Sequence, residues 1–525
     1  MERDLTWQVG QRLMTGFSGT RVPEDLKRLI REEKVGNIIL FEENIVDRQQ
    51  LRDLCAELQS LVREATGLPA LIAIDQEGGV VSRLKGDCAV APSAMAVAAT
   101  GESENAFLAG QITGRELSAL GVNFDLAPVM DVNSNPHNPV IGARSYGDDA
   151  QTVSAYGTAM IRGLEAGGVL SCAKHFPGHG DTAVDSHLGL PRVDKTLEGL
   201  EDCELRPFRA AAEAGVSAMM TTHILFPQLE PDGVPATMSR RIITGVLRER
   251  LGYDGLVVSD CMMMGAIQQF YGTVPGCVAA LGAGVDMVIV SHSTEIAAQA
   301  CAAARERAAQ DGALAAEMAD ALRRILAAKA RLARMPAADF DCVGSENHRQ
   351  AMRRIREQAV TLVGDAPLPP LGEKPLFLGC YPFRPTLVSS PVDRRVSFPD
   401  RMRALLGGEA LATAIDPDEE EIRAAVAAAA GHSCLVLGTY NGHVKRGQLR
   451  LMEALAALGI PMACVALRNP YDLAGLPKGV PGLAVYEYSE ESLAVAAEAL
   501  TGKLTPTGRL SVRLPEATPG ASRNE

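Results

Sequence analysis

Aromatic side chains are scarce: phenylalanine, tryptophan and tyrosine make up 4% of 525 residues, with one tryptophan, Trp7. A surface of many stacking platforms for single-stranded nucleic acid or a long polysaccharide is therefore not expected. Positive charge is in deficit. The formal net charge is -13, which opposes binding to a phosphate backbone, a task that needs a basic face. No run of about 18 apolar residues occurs, so no membrane span is expected. The opening Met1-Glu2-Arg3-Asp4-Leu5 is not a basic segment leading into an apolar one, so no secretory signal is expected. Eleven cysteines are scattered singly from Cys55 to Cys464, with no Cys-x-x-Cys pair. An odd, dispersed set reads as free buried thiols in a reducing cytoplasm. No phosphate-binding or dinucleotide fingerprint surrounds Gly78-Gly79, which reads as a tight turn. No Gly-x-Ser-x-Gly elbow lies near the charged motifs, which disfavours an esterase.

What is present is ordinary for a globular protein: 47% apolar and 22% charged residues. The length exceeds what one hydrophobic core serves, so at least two domains are expected. Compact apolar runs alternate with stretches of helical spacing. Strands are expected at residues 11–17, 36–41, 68–74, 124–129, 169–173, 216–221, 256–259 and 285–290. Helices are expected between them, for example at 22–33, 47–66, 104–120, 152–166, 200–214 and 242–250. Strands that are apolar throughout are covered on both faces, the mark of a parallel α/β sheet. About eight strand–helix units before residue 335 match a TIM-type (β/α)8 barrel, with a doubly wound open sheet as the other arrangement. An alanine-rich helical region from Thr294 to Met335 leads to Pro336-Ala337-Ala338-Asp339, which reads as a boundary. The expected division is a barrel over 1–335, a linker over 336–350, an αβα sandwich over 351–515 and a loose tail over 516–525.

In a barrel, function sits just past the carboxyl ends of the strands. The unusual residues fall there: Asp75, Asp131 with Asn133 and Asn135, Lys174 and His175, His223, Asp260 and His292. The densest stretch runs from Lys174-His175-Phe176-Pro177-Gly178-His179-Gly180-Asp181 to Asp185-Ser186-His187. Pro177 and the glycines argue that the strand ends at Ala173 and opens into a stiffened loop. Asp185 can orient the imidazole of His187, and a histidine serves as both acid and base near neutrality. The spacing of His179, Asp181, Asp185 and His187 also permits a divalent metal. Asp260 lies between Leu256-Val257-Val258-Ser259 and Cys261-Met262-Met263-Met264; it reads either as a functional carboxylate or as a helix N-cap. Lys445 and Arg446, after Asn441-Gly442-His443, read as a solvated loop.

The block from Lys174 to Gly180, followed by Asp185-Ser186-His187, resembles the signature of the glycoside hydrolase family 3 β-N-acetylglucosaminidases (β-hexosaminidases) in their two-domain form. Ile74-Asp75-Gln76-Glu77-Gly78-Gly79, Phe124 to Asn133, Asn138 to Gly147, Pro235 to Ser239 and Gly255 to Asp260 resemble the family in the same order. The likeness covers residues 8–335, and 345–515 resembles the family's second domain. It implies a retaining exo-glycosidase that removes terminal β-linked N-acetylglucosamine. Asp260 matches the nucleophile, and His187 held by Asp185 matches the acid/base. Asp75, Arg83, Arg144, Lys174 and His175 match residues that bind the sugar. The resemblance implies no metal and no cofactor; the partner is a small glycoside or a muropeptide, in the cytoplasm. Many relatives carry a second aspartate where this chain has Cys261. A phosphorylase remains an alternative, because a histidine acid/base leaves the glycosyl-enzyme open to an anionic nucleophile; a broader β-glucosidase is another.

Overall fold

The fold was obtained as a computed structural model that describes residues 4–84, 86–183, 189–384, 386, 388–390 and 395–515. Eight parallel strands close into a barrel in sequence order, β1 pairing with both β2 and β8. They are β1 Leu13–Thr15, β2 Asn37–Leu40, β3 Leu71–Ile74, β4 Phe124–Asp125, β5 Leu170–Phe176, β6 Ala218–Thr221, β7 Leu256–Cys261 and β8 Met287–Val290. The closed order removes the open-sheet alternative. Side chains alternate across the strands. Met14, Ile39, Leu71, Phe124, Leu170 and Met287 fill the interior, while Leu40, Ile72, Ile74 and Val288 face the surrounding helices.

The helices carry the expected punctuation. Asp47 accepts a hydrogen bond from the Gln50 amide at 2.8 Å to start Arg48–Thr66, and Gly67 ends it in the left-handed region. Helices Glu104–Ala119 and Ala150–Gly167 pack through Gly110, Gly114, Gly163 and Gly167, where an added Cβ would lie within 2.7 Å of the facing backbone. Helix Glu346–Ala359 places Ala351, Met352 and Ile355 in the barrel's helical shell, so that core continues past residue 335.

Three expectations need correction. The first strand was expected over 11–17; instead Leu5–Gln11 is helical and β1 is shorter. Asp4 caps that helix through the Trp7 amide at 2.9 Å, and the Trp7 indole N–H donates to the Thr66 carbonyl. The fifth strand does not stop at Ala173 but runs to Phe176, because Phe176 still pairs with Thr221 and Lys174 bridges Val129. The long helical region divides at Asp311 into Thr294–Gln310 and Gly312–Leu332.

The second unit is a six-stranded open sheet of order β11-β10-β12-β13-β14-β9. Its strands are β9 Thr361–Val363, β10 Pro375–Cys380, β11 Glu409–Thr413, β12 Cys434–Thr439, β13 Met462–Ala466 and β14 Gly482–Ala484. All pairings are parallel except β14 with β9. Separate apolar clusters cover its two faces. It docks on the barrel rim through buried polar contacts: Asn133 Nδ2 donates to the Tyr471 hydroxyl at 2.7 Å, and the Ala143 amide donates to Asn469 Oδ1 at 2.9 Å. Residues 516–525, expected as a tail, lie outside the described residues. Among the described residues no helix is long and apolar enough to cross a membrane.

Candidate active site

A cavity of about 580 Å³ opens at the carboxyl ends of the barrel strands. Asp75, Arg83, Arg144, Lys174, His175 and Asp260 all line it. They arrive from separate places: Asp75 just after β3, Arg83 from the loop beyond it, and Arg144 from the segment after β4. Lys174 and His175 belong to the last turn of β5, and Asp260 is the penultimate residue of β7. The next helix begins only at Gly265, so Asp260 is a strand residue and not a helix cap.

The floor is an ion cluster. Arg144 grips Glu77 with two hydrogen bonds of 2.8 Å, Nε to Oε2 and Nη2 to Oε1. Lys174 Nζ bridges Glu77 Oε1 at 2.6 Å and Asp75 Oδ1 at 2.8 Å. Arg83 Nη2 lies 3.6 Å from Asp75 Oδ2. Burial pushes the Glu77 carboxyl up, but the Arg144 and Lys174 charges outweigh it and hold Glu77 well below the usual carboxylate range. The same pairing outweighs the desolvation of Lys174, which stays an ammonium above its usual value. The cluster therefore holds the Arg144 and Lys174 donors in place beside the Asp75 carboxyl group, the equipment for holding hydroxyl groups by charge-assisted hydrogen bonds.

Beside it, Asp131 is fully buried and gathers the turn after β5. Its Oδ2 lies 2.7 Å from His175 Nδ1, and its Oδ1 accepts from the amides of His179 at 2.7 Å and His175 at 3.2 Å. Desolvation pushes Asp131 up, yet the His175 contact prevails and keeps it below the usual range. With Nδ1–H given to Asp131, the Nε2 of His175 is left for a ligand. His179 also lines the cavity; its burial, with His175 adjacent, lowers it to about 4, so its ring is neutral near neutral pH. The end of β7 is fixed separately. The His223 ring spans Thr237 Oγ1 at 2.9 Å and the Cys261 carbonyl at 3.0 Å, and the Cys261 amide donates to Asp260 Oδ1 at 2.7 Å.

Asp185 and His187 lie outside the described residues. Thr182, shortly before them, is tied to the rim: Asn138 Nδ2 donates to Thr182 Oγ1 at 3.2 Å and Asn135 Nδ2 to the Thr182 carbonyl at 3.3 Å. His292 lines the cavity, whereas Lys445 and Arg446 do not. Among the described residues no group of three His, Cys, Asp or Glu side chains is arranged for a metal ion. Sequence reasoning assigned no role to Glu77, though it stands in the Asp75-Gln76-Glu77 strand end. Nor did it find Arg384 and Val388, which the second unit sends into the same cavity. The Val388 carbonyl accepts from both terminal nitrogens of Arg83 at 3.2 Å, and Ser390 Oγ accepts from Arg83 Nη1 at 3.0 Å. No local sequence signal marks residues brought in from so far along the chain.

A closed parallel barrel with its titratable side chains collected on the carboxyl rim is the architecture of a barrel enzyme. Residues 5–328 match the model of the glycosyl hydrolase family 3 N terminal domain, and the chain belongs to that family. It is similar to a family 3 β-N-acetylglucosaminidase from Paenibacillus sp. str. FPU-7, with TM-score 0.89 and 36% identity, covering 98% of this chain and 100% of that one. Beta-hexosaminidase A of Pseudoalteromonas piscicida is 40% identical over 287 residues, 52% of this chain and 48% of that protein, so the match spans about half of that relative's length. The beta-hexosaminidase of Bordetella parapertussis is 33% identical over 364 residues, 66% of this chain and 96% of its own length.

Proposed function

We propose that this chain is a retaining exo-β-N-acetylglucosaminidase that works through a covalent glycosyl-enzyme on Asp260. Its membership of family 3 and its similarity to proteins named β-hexosaminidase and β-N-acetylglucosaminidase make it a glycoside hydrolase of the β-N-acetylhexosaminidase type. One observation carries the reading: the Asp260 carboxylate opens on the same cavity as the Asp75–Lys174–Glu77–Arg144 cluster. A nucleophile thus faces a rigid, charged hydroxyl-binding floor. The volume suits one sugar ring and part of the next.

In the proposed reaction Asp75, Arg83, Arg144, Lys174 and His175 fix the terminal sugar. The Asp260 carboxylate attacks the anomeric carbon while the bond to the leaving oxygen breaks. His187, oriented by Asp185, gives that oxygen its proton. Water then gives a proton to His187 and attacks the same carbon, releasing Asp260. The roles of Asp185 and His187 rest on the sequence resemblance. The carboxylate and the proton donor serve opposite faces of an oxocarbenium-like transition state. Cell-wall fragments in the cytoplasm, N-acetylglucosaminyl-anhydro-N-acetylmuramyl peptides, are the proposed natural substrates.

The test pairs p-nitrophenyl β-N-acetylglucosaminide with p-nitrophenyl β-glucoside, with and without phosphate. The expected result is a strong preference for the acetamido sugar and free N-acetylglucosamine as product in both buffers. Sugar 1-phosphate in the phosphate arm would make the chain a phosphorylase, and a preference for the glucoside would make it a β-glucosidase.

A further inference from the structure

Two of the cavity's arginines are held from outside the barrel. The first is Arg83, in the loop after β3. The segment 388–390 of the second unit lies along that loop. The Ser390 amide donates to the Val80 carbonyl at 2.8 Å, and the Ser390 hydroxyl donates to the Ser82 carbonyl at 2.7 Å. The same oxygen accepts from the Ser82 amide at 3.2 Å and from Arg83 Nη1 at 3.0 Å. A serine hydroxyl has one donor and two acceptor positions, and here all of them are spent on the barrel. The Val388 carbonyl takes both terminal nitrogens of Arg83 as well.

The second is Arg144, carried by the single 3-10 turn Gly142–Arg144 after β4. The leading amides of such a turn have no partner inside it. Two asparagines take them. The Gly142 amide donates to Asn133 Oδ1 at 3.1 Å, and the Ala143 amide donates to Asn469 Oδ1 at 2.9 Å. Asn469 belongs to the second unit and is itself anchored there, its Nδ2 donating to Asn441 Oδ1 at 3.2 Å. Asn133 is tied to the same unit through the Tyr471 hydroxyl. The approach is close: Gly142 has a φ of +48°, and a Cβ added to it would lie 2.6 Å from Asn469 Oδ1.

Neither Ser390 nor Asn469 lines the cavity, whereas Arg83 and Arg144 both do. Contacts that merely docked the units could fall anywhere on their interface; these end on the guanidinium of one arginine and on the amide next to the other. Long side chains fixed before a ligand arrives spare it the cost of ordering them. We propose that the second unit is a positioning element of the sugar site, in which Ser390 sets Arg83 and Asn469 sets the turn that carries Arg144; this rests on the sugar-binding role proposed above for the two arginines.

Steady-state kinetics of the full chain test this, with whichever p-nitrophenyl β-glycoside the wild type cleaves fastest. Ser390→Ala should lower kcat/KM about tenfold, as expected when a buried donor loses its partner. In an Arg83→Ala background the same change should lower it less than about twofold, because the residue it acts through is gone. Ser390→Thr, which keeps the hydroxyl, should recover the loss. A fall of equal size in both backgrounds, or wild-type kinetics in Ser390→Ala, overturns the proposal. Asn469→Leu removes the acceptor for the Ala143 amide and should also lower kcat/KM about tenfold; wild-type kinetics there overturn the part given to Asn469. Thermal transitions serve as the fold control, and should Asn469→Leu not fold, the Ser390 and Arg83 cycle decides the proposal alone. A wild type that cleaves no β-glycoside defeats the proposed function, and crystals of Ser390→Ala and Asn469→Leu then decide this one. Displaced guanidinium groups of Arg83 and Arg144 uphold it, and guanidinium groups in their wild-type places overturn it.

Discussion

Replacing Glu77 by glutamine keeps the shape of the side chain and removes its charge. The wild-type carboxylate receives three charge-assisted hydrogen bonds, two from Arg144 at 2.8 Å and one from Lys174 at 2.6 Å. An amide oxygen can accept at one point, but the amide nitrogen cannot accept, so Arg144 loses its paired grip. Breaking a buried ion pair by removing one partner costs about 3–5 kcal/mol, because the other charge is left uncompensated. Lys174 keeps Asp75, which places the expected loss near the low end, about 3 kcal/mol. Since Glu77 is held far below the usual range, its stabilisation is complete above its unfolded value of about 4.5 and is lost only as pH falls through the much lower folded value. The difference between wild type and Glu77→Gln should therefore be constant from about pH 6 to 9. Displaced Arg144 and Lys174 should lower kcat/KM about 100-fold, which corresponds to about 2.7 kcal/mol of transition-state stabilisation. Thermal unfolding across pH and steady-state kinetics read the two effects. A variant as stable and as active as the wild type would refute the role given to the cluster.

Asp131→Asn leaves a hydrogen-bonding group beside His175 but no charge to fix the proton on Nδ1. A roughly 10- to 100-fold fall in kcat/KM is expected, as when the partner of a functional histidine is neutralised; unchanged kinetics would remove Asp131 from the account. At the foot of the barrel, buried Lys329 donates to Gln11 Oε1 and to the Gly36 carbonyl, both at 3.0 Å, and burial lowers it from 10.5 to about 7. Between those values the unfolded chain holds a proton that the folded chain has released. Stability from this group is therefore full above 10.5 and declines as pH falls to about 7, over a span of at most about 5 kcal/mol. Lys329→Met should flatten the rise in melting temperature between pH 7 and 10, and parallel profiles for the two proteins would contradict this reading.

The barrel was legible because its strands are apolar from end to end. Leu71-Ile72-Ala73-Ile74 and Met287-Val288-Ile289-Val290 need both faces covered, and only a parallel sheet wrapped in helices provides that. The rim residues were legible by the same logic, since polar side chains directly after such strands have one place to go. What the sequence concealed depends on partners distant in the chain. Lys174-His175-Phe176 beside Pro177 looks like a loop, and becomes strand because Val129, just beyond β4, bridges Lys174 on one side and Thr221 of β6 pairs with Phe176 on the other. Glu409–Thr413 is an exposed edge strand whose alternation is weak. Arg384 and Val388 reach the cavity only because the second unit docks on the rim, about 300 residues after Arg83.

The central claim is that Asp260 forms the covalent intermediate. It is tested most directly by incubating the enzyme with a fluorinated N-acetylglucosaminyl fluoride, which slows release of the glycosyl-enzyme, and mapping the modified peptide by mass spectrometry. The expected result is one glycosyl group per chain, attached to Asp260 and absent from an Asp260→Ala variant that has lost turnover. A glycosyl group on any other residue, or near-normal turnover by Asp260→Ala, would contradict the account.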